Sequence, residues 1–276
     1  MLSYYYCDAA QSFQFLDQTR FVSITKRLFC DGGAAGFAEA SFVPASSPIS
    51  ATTAGAGEAH PGVFPPELLS RLCAQRIIAV ITVDEVQQAV TLARTLVEGG
   101  VMAMELAWRT PVTLDALEAI VREVPEMMAG VGTLLSAEQV RAVADAGAAF
   151  GVSPGMSAAV VTAARRHGLP FAPGVQTPSD LQAALESGCR LVKFFPAESA
   201  GGLVHLRSMH APFAHLGLRY IALGGIDAQK AAGYLAEPCV AAVGGSWIAP
   251  TALVRQGAWE QIRRNAAAAR ALAEGS

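Results

Sequence analysis

From Phe64 onward the chain alternates between two kinds of hydrophobic pattern. Short runs that are apolar on both faces of an extended chain fall at 77–83, 101–107, 127–133, 150–154, 170–175, 190–196, 219–225 and 239–245. Between them, Ala-rich stretches with apolar residues at helical spacing occupy 84–98, 111–124, 136–147, 157–168, 178–188, 202–211, 227–236 and 251–274. Polar residues suited to cap a helix stand at Asp84, Ser136, Ser157 and Ser179, and glycines close helices at Gly99, Gly147, Gly168 and Gly188. Strands that are buried on both faces and alternate with helices predict a parallel sheet covered by helices. Eight such units over 63–276 predict an α/β protein of the (β/α)8 TIM-barrel type, with a doubly wound open sheet as the alternative. No strand is followed by GxGxxG and no Walker lysine is present, so a nucleotide-binding fold has little support.

Residues 1–62 break this regularity. They hold nine of the 20 Phe, Tyr and Trp residues without a clear period, then run into the small-residue tract Ala45–Gly57. Asp8, Asp17 and the lack of a compact apolar core with a cleavage site argue against a secretory signal. The segment reads as a poorly ordered, non-catalytic extension.

Charge narrows the partners. With a net charge of -3 and no Lys/Arg-rich run, the chain has no electrostatic footprint for nucleic acid. No apolar stretch reaches the length of a membrane span. Cys7, Cys30, Cys73, Cys189 and Cys239 are scattered without a CxxC pair, which suggests reduced thiols in a cytoplasmic protein. The five histidines lie outside the strand ends, and His205 and His210 are five apart on one helix. They read as surface residues, so no metal and no cofactor is expected.

The chemistry begins with the lysines, of which there are three (Lys26, Lys193 and Lys230) against 17 arginines. Lys193 interrupts Leu191-Val192-Lys193-Phe194-Phe195-Pro196, an otherwise buried strand. An ammonium there is costly unless it is paired or gives up its proton, and a neutral amine is the nucleophile that forms a Schiff base with a ketone. A lysine whose stem is buried and whose head reaches solvent is the plainer alternative.

In a barrel the chemistry belongs at the carboxyl ends of the strands. Glu105 is the only charged residue between Gly99 and Trp108, and it shares parity with Val101 and Ala103. It is either a general base beside a Schiff base or the ion-pair partner of Arg109 or Lys193. Arg109 suits a bidentate grip on a carboxylate, and Thr133, closing Gly130-Val131-Gly132-Thr133, offers a hydroxyl to the same substrate. Each also reads as an ordinary loop or strand residue. Gly224-Gly225 and Gly244-Gly245, with Ser246, stand where barrels bind phosphate through backbone N–H groups.

Together, Glu105…Arg109-Thr110, Gly130-Val131-Gly132-Thr133, Val152-Ser153-Pro154-Gly155, Lys193-Phe194-Phe195-Pro196-Ala197-Glu198 and Gly244-Gly245-Ser246-Trp247 resemble the KDPG/KHG aldolases. These are class I aldolases of 2-keto-3-deoxy-6-phosphogluconate and 4-hydroxy-2-oxoglutarate. The resemblance runs from about Arg76 to Pro250. It implies that Lys193 is the Schiff-base lysine and Glu105 the proton-transfer residue. It further implies that Arg109 and Thr133 hold the pyruvyl carboxylate and that Pro154 and Phe195 line the pocket. It places a phosphate on Gly224, Gly225, Gly245 and Ser246, and implies a homotrimer acting on a small keto acid.

Two departures stand out. The family's Thr-Gly-Gly is Leu223-Gly224-Gly225 here, which removes a phosphate donor. Its Glu-Val/Ile-Thr-Leu-Arg is Glu105-Leu106-Ala107-Trp108-Arg109, which is expected to reshape the pocket floor with an indole. The first change weakens the expectation of a phosphorylated substrate and leaves a related aldolase of an unphosphorylated 2-keto-3-deoxy sugar acid as an alternative. A phosphosugar isomerase or epimerase would need no lysine on the sixth strand, and a non-catalytic barrel would leave Glu105 and Lys193 unexplained.

Overall fold

A computed structural model of the chain describes residues 5–7, 12–17, 20–25 and 64–275. The chain divides into two units, Met1–Ala56 and Gly57–Ser276. In the first, β1 (Tyr5–Cys7), β2 (Ser12–Asp17) and β3 (Arg20–Thr25) form an antiparallel sheet in the order β1-β2-β3. The remainder of the expectation for residues 1–62 lies outside the described residues.

The second unit opens with a helix that the hydrophobic pattern did not reveal, α1 (Pro66–Gln75). The barrel strands follow: β4 (Ile77–Ile81), β5 (Ala103–Ala107), β6 (Met128–Gly132) and β7 (Phe150–Val152), then β8 (Phe171–Ala172), β9 (Gly174–Val175), β10 (Leu191–Phe194), β11 (Arg219–Leu223) and β12 (Val240–Gly245). Every neighbouring pair among them is parallel, in the order β8-β7-β6-β5-β4-β12-β11-β10-β9. The two ends of that order, β8 and β9, are halves of the single fifth strand expected at 170–175. Pro173 separates them because it has no N–H to give to a ladder. One half pairs with β7 and the other with β10, so the ring closes across the proline. Eight strand positions in a closed ring make this the expected TIM barrel.

Helices α2 (Val86–Glu98), α3 (Thr113–Glu123), α4 (Ala137–Asp145), α5 (Ala158–Arg166), α6 (Pro178–Glu186), α7 (Gly202–His210) and α8 (Ala228–Leu235) alternate with the strands. The long last helix is in fact two, α9 (Thr251–Arg255) and α10 (Trp259–Glu274). Gly257 between them has φ 64, a left-handed backbone that ends α9 and redirects the chain. Two expected caps hold: Ser136 and Ser157 accept the N–H groups of Gln139 and Val160. Two do not. Asp84 lies outside α2 and instead accepts from Arg255 Nε at 2.7 Å. Ser179 yields to Thr177, which forms a capping box with Asp180 while Pro178 takes the first helical turn, where its missing N–H costs nothing.

The alternation of strand residues divides the core into two layers. Met104, Leu106, Val131 and Val192 face outward and pack under the helices. Ile78, Ala103, Met128, Phe150, Val152, Leu191, Ile221 and Leu223 belong to the inner cluster, against which Leu68, Leu69 and Leu72 of α1 pack. Those inner residues include the first inward positions of the strands, so α1 seals the amino-terminal end of the barrel. Burying each such side chain stabilises the fold by about 1.5–3 kcal/mol, and with that end closed, the open end is the carboxyl one. No helix among the described residues is long and apolar enough to cross a membrane.

Candidate active site

Lys193 on β10 and Glu105 on β5 point into the barrel from opposite sides. Lys193 Nζ lies 2.9 Å from Glu105 Oε1, and the two side chains are only 6% and 3% exposed. The other carboxylate oxygen, Oε2, is buried and has no hydrogen-bond partner among the described residues. One oxygen therefore holds the ammonium while the other keeps its lone pairs unspent. A buried pair of this kind is poor evidence of stability, because desolvating both charges offsets their attraction. The Phe195 ring closes over the amine, its centroid 5.0 Å from Nζ.

Backbone geometry makes the space for this pair. A Cβ on Gly132 of β6 would stand 1.8 Å from Glu105 Oε1, so only glycine leaves room for the carboxylate. On the other side of the barrel, Gly174 lets the Pro154–Gly155 turn approach until a Cβ would stand 2.3 Å from the Pro154 carbonyl. Ser153, fully buried, fixes that turn: its hydroxyl donates to Gly155 O at 2.7 Å and accepts from Gly174 N at 3.4 Å. Ser153 stands in the Val152-Ser153-Pro154-Gly155 motif, and this task was not expected of it. A serine inside an apolar strand was the available signal.

Thr133 follows β6 with φ 66, a left-handed backbone that costs a β-branched residue of the order of 1–3 kcal/mol. Arg109 lies just past β5, which pairs with β6, and the backbone of Trp108 donates to Gly132 O at 2.9 Å. Arg109 is exposed and has no ion-pair partner among the described residues. Both therefore stand at the same end of the barrel as Lys193. Next to Arg109, Thr110 donates to Val83 O at 2.8 Å and pins the loop to the segment that follows β4. Trp108 does not form the pocket floor: it packs against the outer, helix-facing core. Alternation along β5 gives Ala107, not Trp108, the inward parity of Glu105.

The loop after β10 interlocks with the end of β11. Ala197 and Glu198 donate their N–H groups to Leu223 O and Gly224 O at 2.8 and 3.0 Å. Gly224 and Gly225 have φ 101 and 78, and a Cβ on Gly224 would meet Pro196 Cα at 2.9 Å. Glu198 then ties the loop to α8, accepting from Tyr234 OH at 2.7 Å and from Lys230 Nζ at 2.9 Å. The tyrosine hydrogen bond, followed by that of the lysine, holds the Glu198 carboxyl below its ordinary range. Among the described residues, the N–H groups of Gly224, Gly225 and Ser246 donate to no acceptor. Backbone N–H groups left unspent at the ends of adjacent strands are donors that an anion can engage. Gly245 carries the Trp247 ring where a side chain would be, its Cβ position 1.9 Å from the indole. Leu223 shares the inward parity of Ile221, is 2% exposed, and lies across Gly244.

The histidines are less superficial than expected in two cases. His205 and His210 are half-buried, bonded to Gln176 O at 2.7 Å and Tyr220 OH at 3.2 Å. No group of three His, Cys, Asp or Glu among the described residues is placed to hold a metal ion.

Comparison with known proteins gives the family. Residues 68–265 match the family model of KDPG and KHG aldolase. The chain belongs to this family. The match begins before Arg76 and extends past Pro250, and so takes in α1 as well as part of α10. A 2-dehydro-3-deoxy-phosphogluconate aldolase of Treponema pallidum is 40% identical over 187 residues, 68% of this chain and 88% of that protein. The KDPG aldolase of Legionella pneumophila, solved with pyruvate captured at low pH as a covalent carbinolamine intermediate, is 34% identical. It superposes with a TM-score of 0.70 over 73% of this chain and 97% of that one. The corresponding aldolase of Zymomonas mobilis, solved with 3-phosphoglycerate, is 33% identical with a TM-score of 0.68, covering 74% and 95% of the two chains.

Proposed function

We propose that this protein is a class I aldolase. It cleaves 2-keto-3-deoxy-6-phosphogluconate to pyruvate and glyceraldehyde 3-phosphate, 4-hydroxy-2-oxoglutarate to pyruvate and glyoxylate, or both. The observation that carries this reading is the buried Lys193–Glu105 pair at the carboxyl end of the barrel, with one carboxylate oxygen unspent. Lys193 Nζ, as the free amine, adds to the C2 ketone to give a carbinolamine, which loses water to form the protonated imine. The imine is the electron sink, so the chemistry needs no metal or other cofactor. Glu105, directly or through a water, takes the proton of the C4 hydroxyl; the C3–C4 bond breaks, its electrons pass into the imine, and the aldehyde leaves. The resulting enamine takes a proton back at C3, and water releases pyruvate from Lys193.

In this scheme Arg109 and Thr133 hold the keto-acid carboxylate, and Pro154 and Phe195 wall the pyruvyl unit. The N–H groups of Gly224, Gly225 and Ser246, with Gly245 beneath, take the phosphate. Release of pyruvate from each substrate, followed by a lactate dehydrogenase coupled assay, tests the reading. Release from neither would end it. The phosphosugar isomerase alternative makes no pyruvate and is separated by the same assay. The family resemblance further implies a cytoplasmic homotrimer, for which light scattering in solution gives the mass.

Leu223 is the position that grades substrates. It sets an apolar side chain beside the anion seat where the family pattern has a hydroxyl, and a hydrogen bond to a charged group typically contributes about 1.5–3 kcal/mol, roughly ten- to a hundredfold in affinity. Leu223→Thr is expected to lower KM for the phosphorylated substrate by about that factor and to leave turnover of 4-hydroxy-2-oxoglutarate nearly unchanged. An equal response of both substrates would move the phosphate away from β11.

We also propose that residues 1–60 take no part in catalysis. Among the described residues, the strands from β4 to β12 close their own ring and α1 seals it. A chain beginning at residue 61 is expected to keep the specific activity and the melting temperature of the full protein. An insoluble or inactive truncation would give the segment a structural task.

A further inference from the structure

The amino-terminal end of the barrel, sealed by α1, contains a feature that the aldolase reaction does not use. A cavity of about 380 Å³ opens there, lined by Cys73 of α1, Arg76, Arg219 and the turn from Leu235 to Pro238. Its volume falls within the range of small-molecule sites. Its walls combine apolar surface from Leu235 and Pro238 with two guanidinium groups. Arg219 opens β11 and shares the inward parity of Ile221, so a charged side chain occupies the lowest inward position of that strand. Arg76 immediately precedes β4, and its guanidinium ties α1 to the Leu235 carbonyl.

Arg219 brings to this cavity a positive charge that no carboxylate among the described residues pairs with. Glu237 also lines it, but its carboxylate is already engaged by Arg207, whose Nε donates to Oε1 at 2.8 Å. Arg219 has no carboxylate partner among the described residues: its Nη2 reaches Cys73 Sγ at 3.7 Å, a weak acceptor, and its buried Nε has no hydrogen-bond partner among them either. A guanidinium with unspent donors beside a cavity is a poor outcome for the fold alone, because an unsatisfied buried donor costs free energy that a bound acceptor restores. Arg76 keeps a left-handed backbone, φ 58, at a helix end where glycine would relieve the strain.

We infer that this cavity is a second ligand site, separate from the catalytic end, that takes a compact oxyanion. A phosphate or carboxylate group sits against Arg219 and Arg76, and the small remainder of the molecule lies on Leu235 and Pro238. Planar guanidinium forks match both groups, and the charged hydrogen bonds they form are among the stronger ones available.

Cys73 supplies a local reporter that is independent of activity. Its half-exposed thiol lines the cavity, so an occupant shields it from iodoacetamide, a neutral reagent. The rate of Cys73 alkylation in the full-length protein is followed by peptide mass spectrometry, with inorganic phosphate and malonate as separate probes. With a probe at about ten times its dissociation constant, alkylation is expected to slow roughly tenfold. Protection by one probe identifies the group preferred; protection by neither overturns the proposal. Sodium chloride at equal ionic strength should protect nothing, and equal protection by chloride overturns it. Arg219→Gln should abolish the protection while leaving Cys73 reactive. If that variant does not fold, Arg76→Gly, which relieves a strained backbone, takes its place. Protection that survives in the variant examined overturns the site.

Discussion

Mixed with pyruvate and reduced with borohydride, the protein is expected to take up a single three-carbon unit per chain, and proteolysis is expected to place it on Lys193. The argument rests on environment. Lys193 is held among apolar walls with its ammonium 2.9 Å from one carboxylate oxygen. Proton transfer from that ammonium to Glu105 would leave an amine at the open end of the barrel, on a side chain only 6% exposed to bulk water. Lys230 offers a contrast, because its side chain is 48% exposed and its amine is bound to Glu198. Lys193→Arg keeps the positive charge and part of the ion pair, but a guanidinium stays protonated and is no nucleophile. Cleavage of either substrate should fall by on the order of 10⁴–10⁶-fold, the scale on which covalent enzymes lose activity with their nucleophile. Retained cleavage in this variant, or a label on Lys230, would require a different mechanism.

Glu105→Gln should separate imine formation from proton movement. The amide has nearly the shape of the carboxylate, and the space left by Gly132 accommodates it. It can still hold the Lys193 side chain through its oxygen, so the pyruvate adduct should still be trapped by borohydride. What it lacks is the basic Oε2, the atom that the structure leaves without a partner. Exchange of the C3 methyl protons of bound pyruvate with solvent deuterium, read by NMR, should slow by roughly 10²–10⁴-fold, the usual contribution of a general base. Exchange at the wild-type rate would reduce Glu105 to an ion-pair partner. Because trapping and exchange are measured on the same complex, a variant that merely misfolds fails both and is recognised.

The barrel and its central pair were legible in the sequence for one reason: both show up as violations of a simple pattern. Strands buried on two faces read as unbroken apolar runs, and a charge inside such a run, at Lys193 or Glu105, has no solvent-facing excuse. What remained hidden depends on contacts between distant segments. The helix α1 follows no strand-like run that would announce it, and its place is set by the amino-terminal end of the barrel, which it seals. The division of the fifth strand was implicit in Pro173, which falls inside the apolar run expected as one strand at 170–175. Trp108 was assigned to the pocket on size, although counting parity from Glu105 sends it outward and leaves Ala107 facing in. The left-handed backbone of Thr133 and the unspent donors of Gly224, Gly225 and Ser246 depend on how loops fold back, which no local pattern encodes. Ser153 belongs to the same group: one of its two hydrogen bonds joins it to Gly174, 21 positions away.

The relation between Gly132 and Glu105 also bears on how such a site can change over time. The carboxylate of one strand occupies the volume that a side chain on the next would fill, so the two positions behave as one heritable unit. A mutation that gives position 132 any side chain forces the Glu105 carboxylate to move, whereas shortening position 105 first removes the carboxylate and relaxes the constraint on its neighbour. Descendants that abandon the chemistry are therefore free to lose the glycine, and those that keep the chemistry are not. A residue with no side chain thus records, more faithfully than the acid it shelters, whether a barrel of this kind still makes and breaks carbon–carbon bonds.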